Sequence, residues 1–442
     1  MTSPNYARRP PTPSLPTAGA AAPVPPDAAP TFGSVPAALA AARLLSPDAL
    51  VAGRVAGERQ LRRRVTRLVA VGRDAGRERR RPRRARMASL WVSGAGRVQW
   101  RDVAAPGPPQ RWAAIVEPVA MATCDLDRPL ALGATPFPRP LHLGHECVAR
   151  VAAVGAEVTT VDVGDLVVVP FQVSCGRCPA CRRGRSGSCC TVPPLSMFGF
   201  GAGGGAWGGV MAEQVAVPYA DAMLVPLPSG VDPVAAASAG DTLSEAYRHV
   251  APHLDLLENG PGLETVIIVG AMDRRSSLSP SVAFYAAQIV EALAPAATCV
   301  VTDRRDWVRR EGERVGVEVS PPRRLRGLQA PLVIDCSFDR RGLVLALEAT
   351  AADGLCSCAG TLHKTVPVPG ALMYGRNITL AMGRSHIRTV MPAVLTLMAA
   401  GRLHPEKVIT CIAPFTQAPE AISAHLKTAT TKTILVRDAG MP

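Results

Sequence analysis

The chain has 442 residues, 48% of them apolar, and a formal net charge of +14. That length suffices for two or three domains with real cores, and the sequence has no charge-free apolar run of the roughly 18 residues that a transmembrane helix needs. Residues 1–86 carry 17 arginines against five acidic residues, a net of +12, which leaves the remaining 356 residues close to neutral and gives no reason to read them as a nucleic-acid-binding surface.

The N-terminal 86 residues are first Pro/Ala-rich and then arginine-rich (RQLRRRVTRLVAVGRDAGRERRRPRRAR). This composition predicts a disordered tail that carries no fold of its own. Its arginines lack interleaved aromatics, so any nucleic-acid contact through it would be non-specific. The Arg8-Arg9 pair is not followed by the hydrophobic segment of an export signal, which places the protein in the cytoplasm. From Met87 the chain reads MASLWVSGAGRVQWRDV, a strand, a turn and a second strand, the opening of a domain.

Further along, ATCDLDRPL contains Cys124, Asp125 and Asp127, and LGHE contains His145 and Glu146. Between His145 and residue 171, VARVAAVGAEVTTVDVGDLVVVPF alternates and turns as a small β-barrel would, with Gly155 and Gly164-Asp165 at the turns. Next comes Cys175-x2-Cys178-x2-Cys181-x7-Cys189, four thiols with glycines between them. In a cytosolic chain that spacing indicates a metal rather than disulfides, and zinc before an iron–sulfur centre. A four-thiolate zinc has no open coordination position, so it would hold a loop in shape; Cys190 is left over. Asp241, in SAGDTLSEAYRHV, completes a second set with Cys124 and His145: a thiolate, an imidazole and a carboxylate, three ligands that leave a fourth position for water or substrate.

From Glu264 the sequence ETVIIVGAMDRRSSLSPSVAFYAAQIVEALAPAATCVVTDRRDW gives a buried strand, a turn, an apolar helix and a second strand ending at Asp303, the opening of a Rossmann unit. PLVIDCS, GLCSCAG and NITLAMG read as further buried strands, which makes this half doubly wound α/β. Asp303 stands where a carboxylate binds the adenosine ribose, favouring NAD over NADP. The glycine fingerprint of the first turn is altered. Gly270 takes the first position, Pro280 the second and Ala283 the third, with about six extra residues before the helix that begins at Ser281. Pro280 has no N–H to offer a phosphate. Either Arg274 and Arg275, with the hydroxyls of Ser276 and Ser277, replace the lost donors, or the segment is a neutral insertion that has lost nucleotide affinity.

Taken in order, these residues resemble the zinc-dependent alcohol dehydrogenases of the medium-chain dehydrogenase/reductase family. The resemblance runs from Met87 to about Arg437 and is most specific at LGHE, GDLVVVPF, the four-cysteine lobe and the closing GRLHPEKVIT…PFTQAPEAI…TKTILV. It implies a tail at 1–86, a GroES-like catalytic domain at 87–240, a Rossmann domain at 241–385 and a return segment at 386–442. It makes Cys124, His145 and Asp241 catalytic zinc ligands with Glu146 beside the metal, able to exchange as a ligand, and makes Asp127 the carboxylate that orients the ligating histidine. It also implies a small alcohol or carbonyl substrate, two zinc ions per chain and a homo-oligomer, dimer or tetramer. One departure stands in this site. Leu126 occupies the position where the family carries a hydroxyl that relays the alcohol proton, so a water, Thr242 or Glu146 would have to serve. Together with the altered glycine turn, Leu126 also fits a second reading, a zinc-bearing pseudo-enzyme that binds a ligand without turnover.

Overall fold

A computed structural model describes residues 85–94, 96–257, 264–359 and 366–437. The tail predicted at 1–86 lies outside these residues except for Ala85 and Arg86, and Arg86 already opens a strand.

In chain order the strands of the first half are β1 (Arg86–Val92), β2 (Val98–Ala104), β3 (Ala114–Ala122), β4 (Leu141–His142), β5 (Glu146–Val154), β6 (Leu166–Val169), β7 (Val215–Val217) and β8 (Val225–Pro226). Those of the second are β9 (Thr265–Val269), β10 (Thr298–Thr302), β11 (Val319–Ser320), β12 (Ala330–Asp335), β13 (Thr350–Cys358) and β14 (Thr379–Met382), after which β15 (Cys411–Pro414) and β16 (Thr433–Val436) return to the first. The main sheet of the first half runs β15-β16-β3-β5-β6-β8, with β7 also on β3, and a smaller sheet runs β2-β1-β4. The second half is a six-stranded sheet, β11-β10-β9-β12-β13-β14, parallel throughout.

The side-chain alternation of strands explains how these layers close. On β9, Val266 and Ile268 enter one core while Ile267 and Val269 enter another on the opposite face, so the TVIIV strand is buried on both sides, as parallel sheets are. The same alternation joins the halves. Cys147, Ala149, Val167 and Val169 of β5 and β6 face the core of the first half, whereas Val148 and Val168 belong to the core that holds Val266 and Ile268. Two turns depend on glycine. A Cβ on Gly155 would lie 1.9 Å from the Gln110 carbonyl oxygen, and Gly164 has φ +100°.

One boundary moves. The helix Ile387–Ala399, predicted to return to the catalytic half, buries Ile387, Met391, Val394 and Leu395 in the core beneath the parallel sheet. The chain rejoins the first half only at β15 and β16. The cysteine loop and the residue leading into it are fastened to the start of this helix and the two residues before it. Gln172 Nε2 donates to the Ser385 carbonyl at 2.8 Å, the Gly187 N–H to His386 Nδ1 at 3.1 Å and the Thr389 hydroxyl to the Gly184 carbonyl at 2.6 Å. No helix among the described residues is long and apolar enough to cross a membrane.

Candidate metal centre and cofactor seat

The register of β3 on β5 pairs Ala122 with Glu146, and this sets Cys124, just past the end of one strand, beside His145, just before the start of the other. Asp241 arrives from the second half immediately before the helix Thr242–Val250, and the Gly240 carbonyl is held by the Phe171 N–H at 3.0 Å. The ligand atoms of Cys124, His145 and Asp241 all lie within 4.8 Å of one another, with His145 Nε2 3.2 Å from Asp241 Oδ2. Tetrahedral zinc with bonds of about 2.0–2.3 Å separates its ligands by roughly 3.5 Å, so this donor set fits that ion.

The electrostatics ask for a cation. Burial, then the charges of Asp127, Asp241 and Glu146, push the Cys124 thiol well up. Burial alone would lower the His145 imidazole, but the Asp241 hydrogen bond and the surrounding carboxylates raise it to about 9. A dication among these groups would offset the same negative charge and release both protons. Asp127 Oδ2 accepts from the Cys124 N–H at 2.8 Å, while its Oδ1 stands 3.9 Å from His145 Nδ1, on the ring edge away from Asp241. The four thiols of Cys175, Cys178, Cys181 and Cys189 form a second candidate centre, with the Cys178 and Cys189 sulfurs 3.9 Å apart; Cys190 is exposed and outside it.

Glu146 is not in the three-ligand cluster. Its carboxylate accepts from the Thr242 N–H at 2.9 Å, the Thr242 hydroxyl at 3.1 Å and Lys432 Nζ at 2.9 Å, and both Glu146 and Lys432 are fully buried. Burial raises Glu146 to about 7 against the opposing pull of Lys432. Lys432 was not foreseen; its only signal is a charge placed directly before the apolar strand TILV.

The cofactor residues are brought together differently from expectation. Gly270 follows β9, and a Cβ there would lie 2.5 Å from Asp303 Oδ2. Asp303 does not stand open to a ribose. Its two oxygens accept from Arg305 Nε at 3.0 Å and Nη2 at 2.8 Å and from the Ala271 N–H at 3.0 Å, and both members of the pair are buried. Arg274 reaches Asp306 at 3.6 Å with most of its side chain exposed, so it is paired with a carboxylate, and Arg275 is exposed with its backbone N–H donating to Asp273. At that start the N–H groups of Ser281 and Val282 donate to Asp125 Oδ1 and Oδ2, each at 3.1 Å, and the Ser281 hydroxyl donates to Oδ1 as well. Ala283 is buried one residue further on.

Residues 110–229 match the alcohol dehydrogenase GroES-like domain family. A probable zinc-binding alcohol dehydrogenase of Mycobacterium tuberculosis is 29% identical over 343 residues, 75% of this chain and 83% of that protein. The alcohol dehydrogenase TADH from Thermus sp. ATN1 superposes with a TM-score of 0.69 at 28% identity, covering 79% of this chain and all of that one. These likenesses support a zinc-dependent alcohol dehydrogenase of the medium-chain dehydrogenase/reductase type, with the GroES-like domain match at residues 110–229 as its most specific part. Over a shorter stretch, the formaldehyde dismutase of Pseudomonas putida is 42% identical to this chain across 118 residues, 26% of this chain and 29% of that protein. The matched relatives are alcohol and formaldehyde dehydrogenases, which supports a zinc-dependent oxidoreductase and does not favour the pseudo-enzyme reading.

Proposed function

We propose that the chain interconverts a small alcohol and its carbonyl compound at a zinc held by Cys124, His145 and Asp241, with a second zinc held by Cys175, Cys178, Cys181 and Cys189. The convergence of three chemically different donors on one point carries this reading. Zinc in such a site supplies Lewis acidity that lowers the pKa of a bound alcohol, and the family passes the hydride to or from a nicotinamide.

Asp127 faces the free ring edge of His145 at 3.9 Å, the side from which a carboxylate orients a ligating imidazole. Phe171 and Phe200 flank the same ring, with centroids 6.0 and 5.0 Å away, and these walls favour a short aliphatic substrate over a bulky one. The likeness to formaldehyde-handling relatives over 118 residues supports the same size class. Leu126 offers no hydroxyl and Thr242 is already engaged with Glu146, so the alcohol proton leaves through water.

Two variants test the assignment. Cys124→Ser should lose one zinc equivalent and reduce turnover of short primary alcohols by about a thousand-fold or more while the fold persists. Cys178→Ser should lose the other equivalent and lower thermal stability, because a structural metal's binding energy is folding energy. Metal analysis and thermal melts decide it. Unchanged zinc content in Cys124→Ser would refute the site.

The nicotinamide seat fits less well than the zinc site. Its helix N-terminus holds Asp125 and its ribose carboxylate holds Arg305, so the groups a dinucleotide would bind are engaged with each other.

A further inference from the structure

The N-terminus of a helix is an anion seat because its first N–H groups have no partner within the helix and the helix dipole favours negative charge there. In the Rossmann half the helix Ser281–Leu293 is the one that follows the first strand, the position where a dinucleotide places its pyrophosphate. Here that seat is filled from within. Asp125, nine-tenths or more buried, spans the Ser281 and Val282 N–H groups with its two oxygens, as two oxygens of a phosphate would. The neighbouring polar positions are closed in the same way. Arg305 bridges Asp303 and the Leu278 carbonyl, and buried Arg128 donates to the Ser277 carbonyl at 3.4 Å and the Thr428 carbonyl at 2.6 Å. The inserted segment 271–280 is thus tied down by two guanidinium groups over the end of β9.

We infer that Asp125 is an internal substitute for the cofactor's phosphate, and that a dinucleotide binds this chain only by displacing Asp125 from the start of the helix Ser281–Leu293. This rests on the reading of that half as a nicotinamide-cofactor domain. The physical ground is competition: two anions cannot share one pair of N–H donors, and in a buried site the repulsion between them is weakly screened. Asp125 is adjacent to Cys124, so displacement would begin one residue from the zinc ligand, and it makes Asp125 a determinant of cofactor affinity that reaches the seat from the catalytic half.

The experiment is titration calorimetry of the zinc-loaded full-length protein with inorganic pyrophosphate and, separately, with NADH and NADPH, for the wild type, Asp125→Asn and Asp125→Ala. Asn keeps the shape and an acceptor oxygen while losing the charge, which guards against a variant that fails to fold, and zinc content and melting temperature verify each protein. Both variants should bind pyrophosphate at least ten-fold more tightly than the wild type, with Ala gaining more than Asn because it also vacates the space. Folded variants whose pyrophosphate affinity stays within two-fold of the wild type would overturn the inference. A gain for pyrophosphate with no binding of either dinucleotide to any of the three proteins would uphold it and instead count against the nicotinamide reading. Tight NADH binding by the wild type, unchanged in Asp125→Asn, would overturn the inference and leave that reading intact.

Discussion

The metal centre and the cofactor seat begin one residue apart, at Cys124 and Asp125, yet their polar groups are in opposite conditions. At the metal centre three donors converge on a common point, and His145 Nδ1 and Asp127 Oδ1 are buried without a hydrogen-bond partner. At the seat, Asp125, Asp303 and Arg305 are buried too, but each is matched to donors or acceptors of the chain itself. Buried polar groups are almost always paired, and the unmet pair here faces itself across 3.9 Å on the ring edge away from the converging donors. Matched ones mark a place where a ligand must break something first.

Three measurements would break or sharpen this contrast. Lys432→Met tests whether matching inside the protein is as strong as it looks. Removing Nζ leaves Glu146 buried without its counter-charge, and breaking such a pair costs about 3–5 kcal/mol, read as a lower denaturant midpoint. A loss under about 1 kcal/mol would mean that Glu146 is held neutral and that Lys432 contributes little.

The next effect is in pH. Burial alone would raise Glu245, but the His249 hydrogen bond and the Arg248 guanidinium override it and hold the carboxyl at about 2. A depressed carboxylate stabilises the fold fully above its unfolded value near 4.5 and loses that contribution as pH falls toward 2, here about 3 kcal/mol. Glu245→Gln should therefore flatten the acid limb of the stability profile in that window. A limb as steep as in the wild type would assign the acid sensitivity to other groups.

The smallest effect is expected for Arg274→Ala with Arg275→Ala. Both residues are exposed, and Arg274 is already paired with Asp306 in solvent, where ion pairs contribute little. Affinity for NADH should change by roughly two-fold or less. A ten-fold loss would restore these arginines to the phosphate role that the sequence suggested for them.

What was legible in the sequence and what was not divides along the same line. Cys124, His145 and Asp241 could be proposed as one cluster because thiol, imidazole and carboxylate are rare in company and have few other uses together. The parallel sheet was readable from TVIIV and PLVIDCS, since strands buried on both faces have little latitude in composition. Asp125, Arg128, Arg305 and Lys432 were not, because each is defined by a partner distant in sequence. Asp125 meets a helix 156 residues away, and Lys432 meets a carboxylate 286 residues away. Asp303 illustrates the cost of reading position without partner. It directly follows its strand, which ends at Thr302, but Arg305, two residues on, already neutralises it.

Lys432 also sets a schedule for the molecule's manufacture. The four-cysteine loop is complete once residue 189 has been made, and the three zinc-ligand candidates once residue 241 has. The carboxylate beside them, however, receives its buried counter-charge only when residue 432 arrives, directly before the strand that closes against β3. A nascent chain therefore carries its complete ligand set through the 191 residues from 241 to 432 with Glu146 unbalanced, and a product truncated before that lysine would retain every ligand candidate yet lack the charge that settles their surroundings.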